Sequence, residues 1–345
     1  MTKKVLVTGG AGFIGSNFVH HIKNKYPDYH VMVLDALTYA GFVENLPAEM
    51  INASNGRDSF WYGNVCNPDI VNTLVAQVDF VVHFAAETHV TKSIFDNRLF
   101  FETDVLGTHT IANAVLKYRD NVEKFIHIST SEVYGTADQE FIDENHPLNP
   151  MSPYASAKCG ADRLVYSYCE TYKIPAVIMR PFNNFGPRQH LEKLLPRFTT
   201  SVLLDEPMTV HGDGSAARDF VFVEDVCNAI DKVLHAANDK VVGQVFNVAT
   251  GTHRTITEVA DTVLKLMDGD TENIVFTADR PGQVARHTGD WSKIKQALGW
   301  QPEVDWEGGV QNTIDWFRNN REHWQNQLWL RKTLVHLPDG SSEYQ

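Results

Sequence analysis

Tyr154 and Lys158 stand four residues apart in "MSPYASAKCGAD", a spacing that puts a phenol and an ammonium on one face of a helix. Ser152 would cap that helix and Pro153 would open it. An ammonium close to a phenol favours the phenolate, which can act as base for an alcohol about to lose a hydride. By itself the spacing recurs by chance and more often marks a surface contact. Earlier in the chain, "STSEVYG" closes an apolar run with Thr130, Ser131 and Glu132. Thr130 could hydrogen-bond the same alcohol. Glu132 has two readings: a strand-end carboxylate that accepts a backbone hydrogen bond, or an acid/base group sharing the pocket of Thr130.

A third group supplies the partner that such chemistry needs. "VTGGAGFIGSN" sets Gly9, Gly12 and Gly15 after a first strand and into a helix. Glycines there permit a tight turn and let backbone N–H groups approach a pyrophosphate at the helix N-terminus. A lone glycine-rich turn often binds nothing. Here Asp35 ends the second strand 20 residues after Gly15, where a carboxylate accepts hydrogen bonds from an adenosine ribose and repels a 2′-phosphate. Together these residues predict a dinucleotide, NAD in preference to NADP.

The elements that must position these groups are short apolar runs: "KVLVTG", "HVMVLD", "FWYGNV", "DFVVHFAA", "KFIHIST" and "AVIMRPF". They alternate with helix-length segments, which calls for a parallel sheet covered on both faces, of the doubly wound Rossmann type. Ligands on such a sheet bind beyond the carboxyl ends of the strands. Past Phe182 the alternation loosens. A helical stretch returns near 223–236, then a strand in "GQVFNVATG", a helix in "TITEVADTVLKLM" and a strand in "NIVFT". The expected division is a Rossmann domain over 1–182, with 216–250 returning to it, and a smaller α/β substrate lobe over 183–215 and 251–345.

Bulk properties narrow the partners. With 345 residues the chain can fill a large domain and a lobe, and 43% apolar residues suit a globular core. A net charge of −13 speaks against nucleic acid or an anionic membrane as main partner. No apolar stretch is long enough for a membrane span, and "MTKKVLVTGG" runs directly into a strand, leaving no room for a signal peptide. Cys66, Cys159, Cys169 and Cys227 form no CxxC pair and fit reduced thiols of a cytoplasmic protein. Fifteen histidines include the pair His20–His21, but no metal-ligand spacing appears, so no metal is expected.

With these residues in hand, the chain resembles the extended short-chain dehydrogenase/reductase family over nearly its full length. It is most similar to the nucleotide-sugar 4,6-dehydratases, especially those acting on dTDP-glucose. The resemblance is carried by "TGGAGFIGSN", "DALTYAG", "HFAAETHV", "FETDVLGT", "ISTSEVYG", "SPYASAK", "NNFGP", "EKLLP", "RDFVFVEDV" and "DRPGQ". It implies a lyase that uses NAD internally: Tyr154 takes the sugar 4-OH proton as C4 is oxidised. Glu132 then removes the C5 proton, the 6-hydroxyl leaves as water, and hydride returns to C6. It implies cofactor contacts from Gly9, Gly12, Phe13, Ile14, Gly15, Asp35, Thr38, Asn64, Val65, Ala85, Ala86, Thr103, Tyr154 and Lys158. For the nucleotide-sugar it implies Glu87, His89, Thr130, Asn183, Asn184, Glu192, Lys193, Leu194, His211, Arg218, Asn247 and Arg280. Arginines suit a diphosphate because their planar fork pairs with its oxygens. The resemblance also implies a homodimer, formed through the helices after "FETDVLGT" and around Tyr154.

Three positions depart from the dTDP-glucose pattern. Ser131 replaces the aspartic acid that helps water leave, giving a Thr-Ser-Glu motif like that of GDP-mannose 4,6-dehydratases. His211 stands where relatives carry Tyr, and Asn64-Val65 where they carry Asp-Ile. The nucleotide base and the sugar therefore stay open. So do a 4-epimerase, in which a small residue usually takes the place of Glu132, a nucleotide-glucuronate decarboxylase, and a non-catalytic NAD-binding scaffold or redox sensor.

Overall fold

The protein is described by a computed structural model covering residues 2–51, 56–270, 273–277, 284–331, 334–336 and 342–344. The first six strands are β1 (Lys4–Thr8), β2 (His30–Asp35), β3 (Ser59–Tyr62), β4 (Phe80–His83), β5 (Lys124–Ile128) and β6 (Ala176–Pro181). Short strands β7 (Asn183–Phe185), β8 (Met208–His211) and β9 (Ala217–Phe222) follow. Then come β10 (Val245–Val248), β11 (His253–Thr255), β12 (Ile274–Thr277) and β13 (Arg286–His287).

Seven strands pair in parallel in the order β10-β6-β5-β4-β1-β2-β3, the doubly wound arrangement expected from the alternating runs. Both faces of this sheet are buried, and the pleat assigns alternate residues to them. Val5, Val7, Val31, Val33, Phe80 and Val82 enter one core. Their neighbours Leu6, Leu34 and Val81 enter the other. Helix Val223–His235 packs against helix Phe13–Lys25 on this domain, and Asp231 accepts hydrogen bonds there from Lys25 and Tyr26.

The smaller lobe has its own core. Phe185, Phe198, Val210, Phe220, Phe222, Val259 and Ile314 meet in it. These side chains come from β7, β8 and β9 and from helices Leu194–Leu203, Ile256–Met267 and Trp306–Asn319. Within the segment 216–250, β10 joins the large sheet, but β9 does not: it pairs with β7, β11 and β13. The expected boundary is corrected at that strand. Phe220 and Phe222 find their apolar partners in the lobe, so β9 stays there and the chain crosses back in the following helix.

Candidate functional site

The carboxyl ends of β1, β2, β4, β5 and β6 open onto one cavity of about 350 Å³. Gly9, at the end of β1, has φ of +68°, and a Cβ there would lie 2.5 Å from the Ala85 backbone nitrogen. A Cβ on Gly15 would lie 2.3 Å from the Gly9 carbonyl oxygen. Backbone packs against backbone at both positions, so only glycine fits. Helix Phe13–Lys25 starts at Gly12 with no side-chain cap, leaving its first N–H groups to a ligand. Asp35 accepts from Ala11 N–H at 2.9 Å and from Leu37 N–H at 2.8 Å, tying the glycine turn to the end of β2. Burial raises its pKa, and these backbone donors oppose the rise. A carboxylate offers about four acceptor sites, so capacity for a ribose diol remains.

On the facing wall, Thr130 caps a short turn of helix, Ser131–Tyr134, and its hydroxyl accepts from Glu132 N–H at 3.2 Å. The turn is fastened from below. Tyr134 donates to Asn247 Oδ1 at 2.7 Å and accepts from Arg180 Nη1 at 2.9 Å, and Arg180 pairs with the buried Asp162 at 2.8 Å. Helix Pro153–Tyr172 has the expected cap: Ser152 Oγ accepts from Ala155 N–H at 3.1 Å. Its first turn is also held by Ser93, whose hydroxyl accepts from Tyr154 N–H at 3.1 Å.

Lys158, one helical turn after Tyr154, donates to the Ile128 carbonyl at 2.7 Å. The expectation that this ammonium lowers the Tyr154 pKa is not met by the protein groups alone. Burial raises it first, the charges of Asp104 and Glu132 add to the rise, and only Thr130 opposes it. Lys158 itself is lowered by burial, against Asp104 and Asp162. Glu132 also acts on Arg218 and on His287, so its carboxylate faces all three groups.

The cavity gathers most of the residues expected from the sequence. Phe13, Ile14, Asp35, Thr38, Asn64, Val65, Ala85, Ala86 and Thr103 line its glycine-loop half. Thr130, Ser131, Glu132, Tyr154 and Lys158 meet at its centre, with Glu87, Asn183, Asn184, Lys193 and Leu194 beyond them. Glu87 Oε2, Asn183 Oδ1 and Asn184 Oδ1 are buried there without a hydrogen-bond partner among the described residues, as acceptors suited to sugar hydroxyls.

His89 and Glu192 stand behind that wall: Glu192 pairs with His89 at 3.2 Å and with Lys193 at 2.9 Å, and Lys193 donates to the Thr88 carbonyl at 3.0 Å. Lys193, followed by His190 and His89, holds Glu192 at about 2 against the effect of burial. Arg218 and His211 lie outside the cavity lining, on β9 and at the end of β8. Asn247 is a correction. It is fully buried, and its amide donates to the carbonyls of Ile142 and Asp290 while its oxygen serves Tyr134, so no polar atom is left for a sugar. Arg280 lies outside the described residues. Sequence reasoning missed Tyr39, Thr88, Gln189 and His190: Thr88, Gln189 and His190 line the cavity, and Tyr39 bonds Thr88 at 2.8 Å. Thr88 lies within "HFAAETHV" and Tyr39 within "DALTYAG", and Gln189 and His190 shortly precede "EKLLP", but the motifs did not single these four out. Among the described residues no His, Cys, Asp or Glu cluster could hold a metal.

The profile of the family described as GDP-mannose 4,6 dehydratase matches residues 6–313. The chain is 42% identical to the low-salt glycan biosynthesis protein Agl12 of Haloferax volcanii, covering 92% of this chain and 99% of that one. It is 39% identical to a dTDP-glucose 4,6-dehydratase of an Actinoplanes species, over 93% and 99%. A crystal structure of DesIV, a dTDP-glucose 4,6-dehydratase from Streptomyces venezuelae with NAD and TYD bound, superposes with a TM-score of 0.87 at 37% identity, over 94% and 99%.

Proposed function

The chain belongs to the GDP-mannose 4,6-dehydratase family, and from that premise we propose how its own residues remove water from a nucleotide sugar. The activity is NAD-dependent 4,6-dehydration of a nucleoside-diphosphate hexose, a hydro-lyase reaction. When bound, NAD supplies reversible two-electron redox chemistry. The glycine turn and the open end of helix Phe13–Lys25 would cradle its pyrophosphate, Asp35 would receive its adenosine ribose, and Lys158 would hold the second ribose.

Tyr154 takes the proton of the sugar 4-hydroxyl as C4 becomes a ketone, with Thr130 hydrogen-bonded to the same oxygen. The ketone acidifies the C5 proton, and Glu132 removes it. The 6-hydroxyl then leaves as water, protonated by the same Glu132, because Ser131 offers no second acid. Return of the C4 hydrogen to C6 leaves an enolate, which Glu132 protonates at C5 after regaining a proton from solvent, while Tyr154 releases to solvent the proton it took from the 4-hydroxyl: one water is lost and no net redox equivalent or proton is consumed. Glu87, Asn183 and Asn184 receive the sugar hydroxyls, and Lys193 and Arg218 face the diphosphate.

The observation that favours dehydration over 4-epimerisation is the position of Glu132: it lines the cavity that Tyr154 lines, near enough for its charge to oppose ionisation of the phenol. On this reading the nucleotide-sugar lobe comprises 183–215 and 251–345 together with β9. A second copy covers the exposed Phe101, Leu106, Tyr166 and Tyr172, making a homodimer. The four free thiols suit the cytoplasm. Incubation with dTDP-, UDP-, GDP- and CDP-hexoses, followed by product mass, tests the function. A 4-keto-6-deoxy product without lasting NADH supports it; an isomer of unchanged mass, or release of CO₂, replaces it with epimerisation or decarboxylation.

A further inference from the structure

Between residues 98 and 117 the chain is helical throughout, but Phe101–Gly107 widens into a π-helix. Such widened turns cost hydrogen-bond geometry and recur at functional sites. The buried side chain in this one is Asp104. Its Oδ1 accepts from Glu87 N–H at 2.8 Å, pinning the loop that follows β4. Its Oδ2 is buried and has no hydrogen-bond partner among the described residues. An unpaired acceptor in that setting carries a desolvation cost that needs a use.

The neighbours of Asp104 point to that use. Phe100, four residues before it, meets the Tyr154 ring edge-on at 6.4 Å between centroids, and Val105, the next residue, packs on the same cluster with Ala157. The charged and titratable groups facing Asp104 come from every side. Lys158 on helix Pro153–Tyr172 attracts it, while Glu87 repels it and faces Lys92 in turn. Across the cavity Glu132 acts with it on Tyr154. The Cys66 thiol feels Asp104 together with Glu102 of the same turn. Burial, followed by the charge of Lys158, keeps His83 and His127 neutral, and Asp162 favours the charged form of Lys158 as Asp104 does.

Resting on the reading of Tyr154 as the base, we propose that Asp104 is a positioning residue whose carboxylate also governs how readily Tyr154 gives up its proton. In its ionised form it keeps Lys158 charged and holds the phenol protonated. Burial raises the Asp104 pKa, and Lys158 restrains the rise. The restraint on Tyr154 is therefore relaxed as pH falls and Asp104 takes up a proton, and imposed as pH rises. A base whose ionisation is opposed by a neighbouring acid holds its proton until substrate and cofactor are in place.

The test is Asp104→Asn in the NAD-loaded protein. The amide oxygen still accepts from Glu87 N–H, so a purely structural anchor is preserved and only the charge is removed. Tyrosinate absorbance, taken as the difference from Tyr154→Phe in the same background, is compared at one alkaline pH at which both proteins stay folded. Removal of a like charge at this range lowers the phenol midpoint by about one pH unit, which raises the tyrosinate fraction about tenfold below the midpoint. The acid limb of kcat moves to lower pH by a similar amount. An unchanged or smaller tyrosinate fraction in Asp104→Asn overturns the proposal. Asp104→Ser replaces it if the Asn variant does not fold, and unfolding of both leaves Asp104 as an anchor only, which also overturns it. The tyrosinate comparison needs no substrate. If no sugar nucleotide is turned over, the dehydratase reading fails while the Asp104 result still stands.

Discussion

Replacing Arg180, which lies outside the cavity lining, by Met should loosen the turn that presents Glu132 to the cavity. Arg180 is buried on β6 and donates to Asp162 through Nε at 2.8 Å and Nη2 at 2.9 Å, and to Tyr134 OH at 2.9 Å. Methionine keeps much of the volume but leaves Asp162 short of a partner. Removing one member of a buried pair costs about 3–5 kcal/mol. Arg163 continues to face Asp162 Oδ1 at 2.5 Å, which places the expected loss at the lower end, about 3 kcal/mol.

The loss carries a pH signature. Arg180 and then Arg163 hold the Asp162 pKa well below its ordinary value against burial. A depressed folded-state pKa contributes stability above the unfolded value of about 4, and that contribution is lost as pH falls. The wild-type advantage over Arg180→Met should thus be full above about pH 5 and narrow below about pH 4. Urea unfolding at a series of pH values reads the gap directly. Tyr134 also loses a donor, so kcat should fall more than KM rises. A variant within about 0.5 kcal/mol of wild type at pH 7, or a gap that widens on acidification, would refute the reasoning.

Three further outcomes follow from the site. Asp35→Ala should weaken NAD binding and relax discrimination against NADP, because it removes both the ribose acceptor and the tie to Ala11; isothermal titration with each cofactor checks it, and unchanged selectivity discards the ribose assignment. Tyr154→Phe keeps the ring in its cluster and removes the proton acceptor, so turnover should fall about 10²-fold or more with NAD affinity unchanged, and near-normal turnover would remove Tyr154 from the mechanism. Glu132→Gln should still oxidise C4 but stall before water is lost, giving NADH absorbance in a single turnover with little dehydrated product; dehydration at the wild-type rate would sink the elimination step.

Local signals in the sequence carried the strands, the glycine turn, Asp35 and the capped helix that presents Tyr154 and Lys158. Each rests on spacings within one element or on a turn residue with a steric reason. What stayed hidden depends on partners far apart in the chain. Asn247 reads as a polar residue at a strand end, and only the fold shows that Tyr134, 113 positions earlier, and two carbonyls occupy its amide. The π-helix at Asp104 leaves no periodic trace in "FETDVLGT". The Tyr154–Lys158 spacing predicted contact, but Lys158 turns to the Ile128 carbonyl, so burial and two carboxylates set the phenol. Strand β9 looked like part of the large sheet because its apolar alternation does not say which core it enters.

The central claim is that the hydrogen leaving C4 is the one that returns to C6, with Glu132 removing the C5 proton between. A nucleoside-diphosphate hexose carrying deuterium at C4, drawn from the sugar nucleotide that the panel identifies, tests this in one product spectrum. The account predicts a product that has lost one water and carries the deuterium at C6, whereas deuterium still at C4, its loss to solvent, or a product of unchanged composition would contradict it.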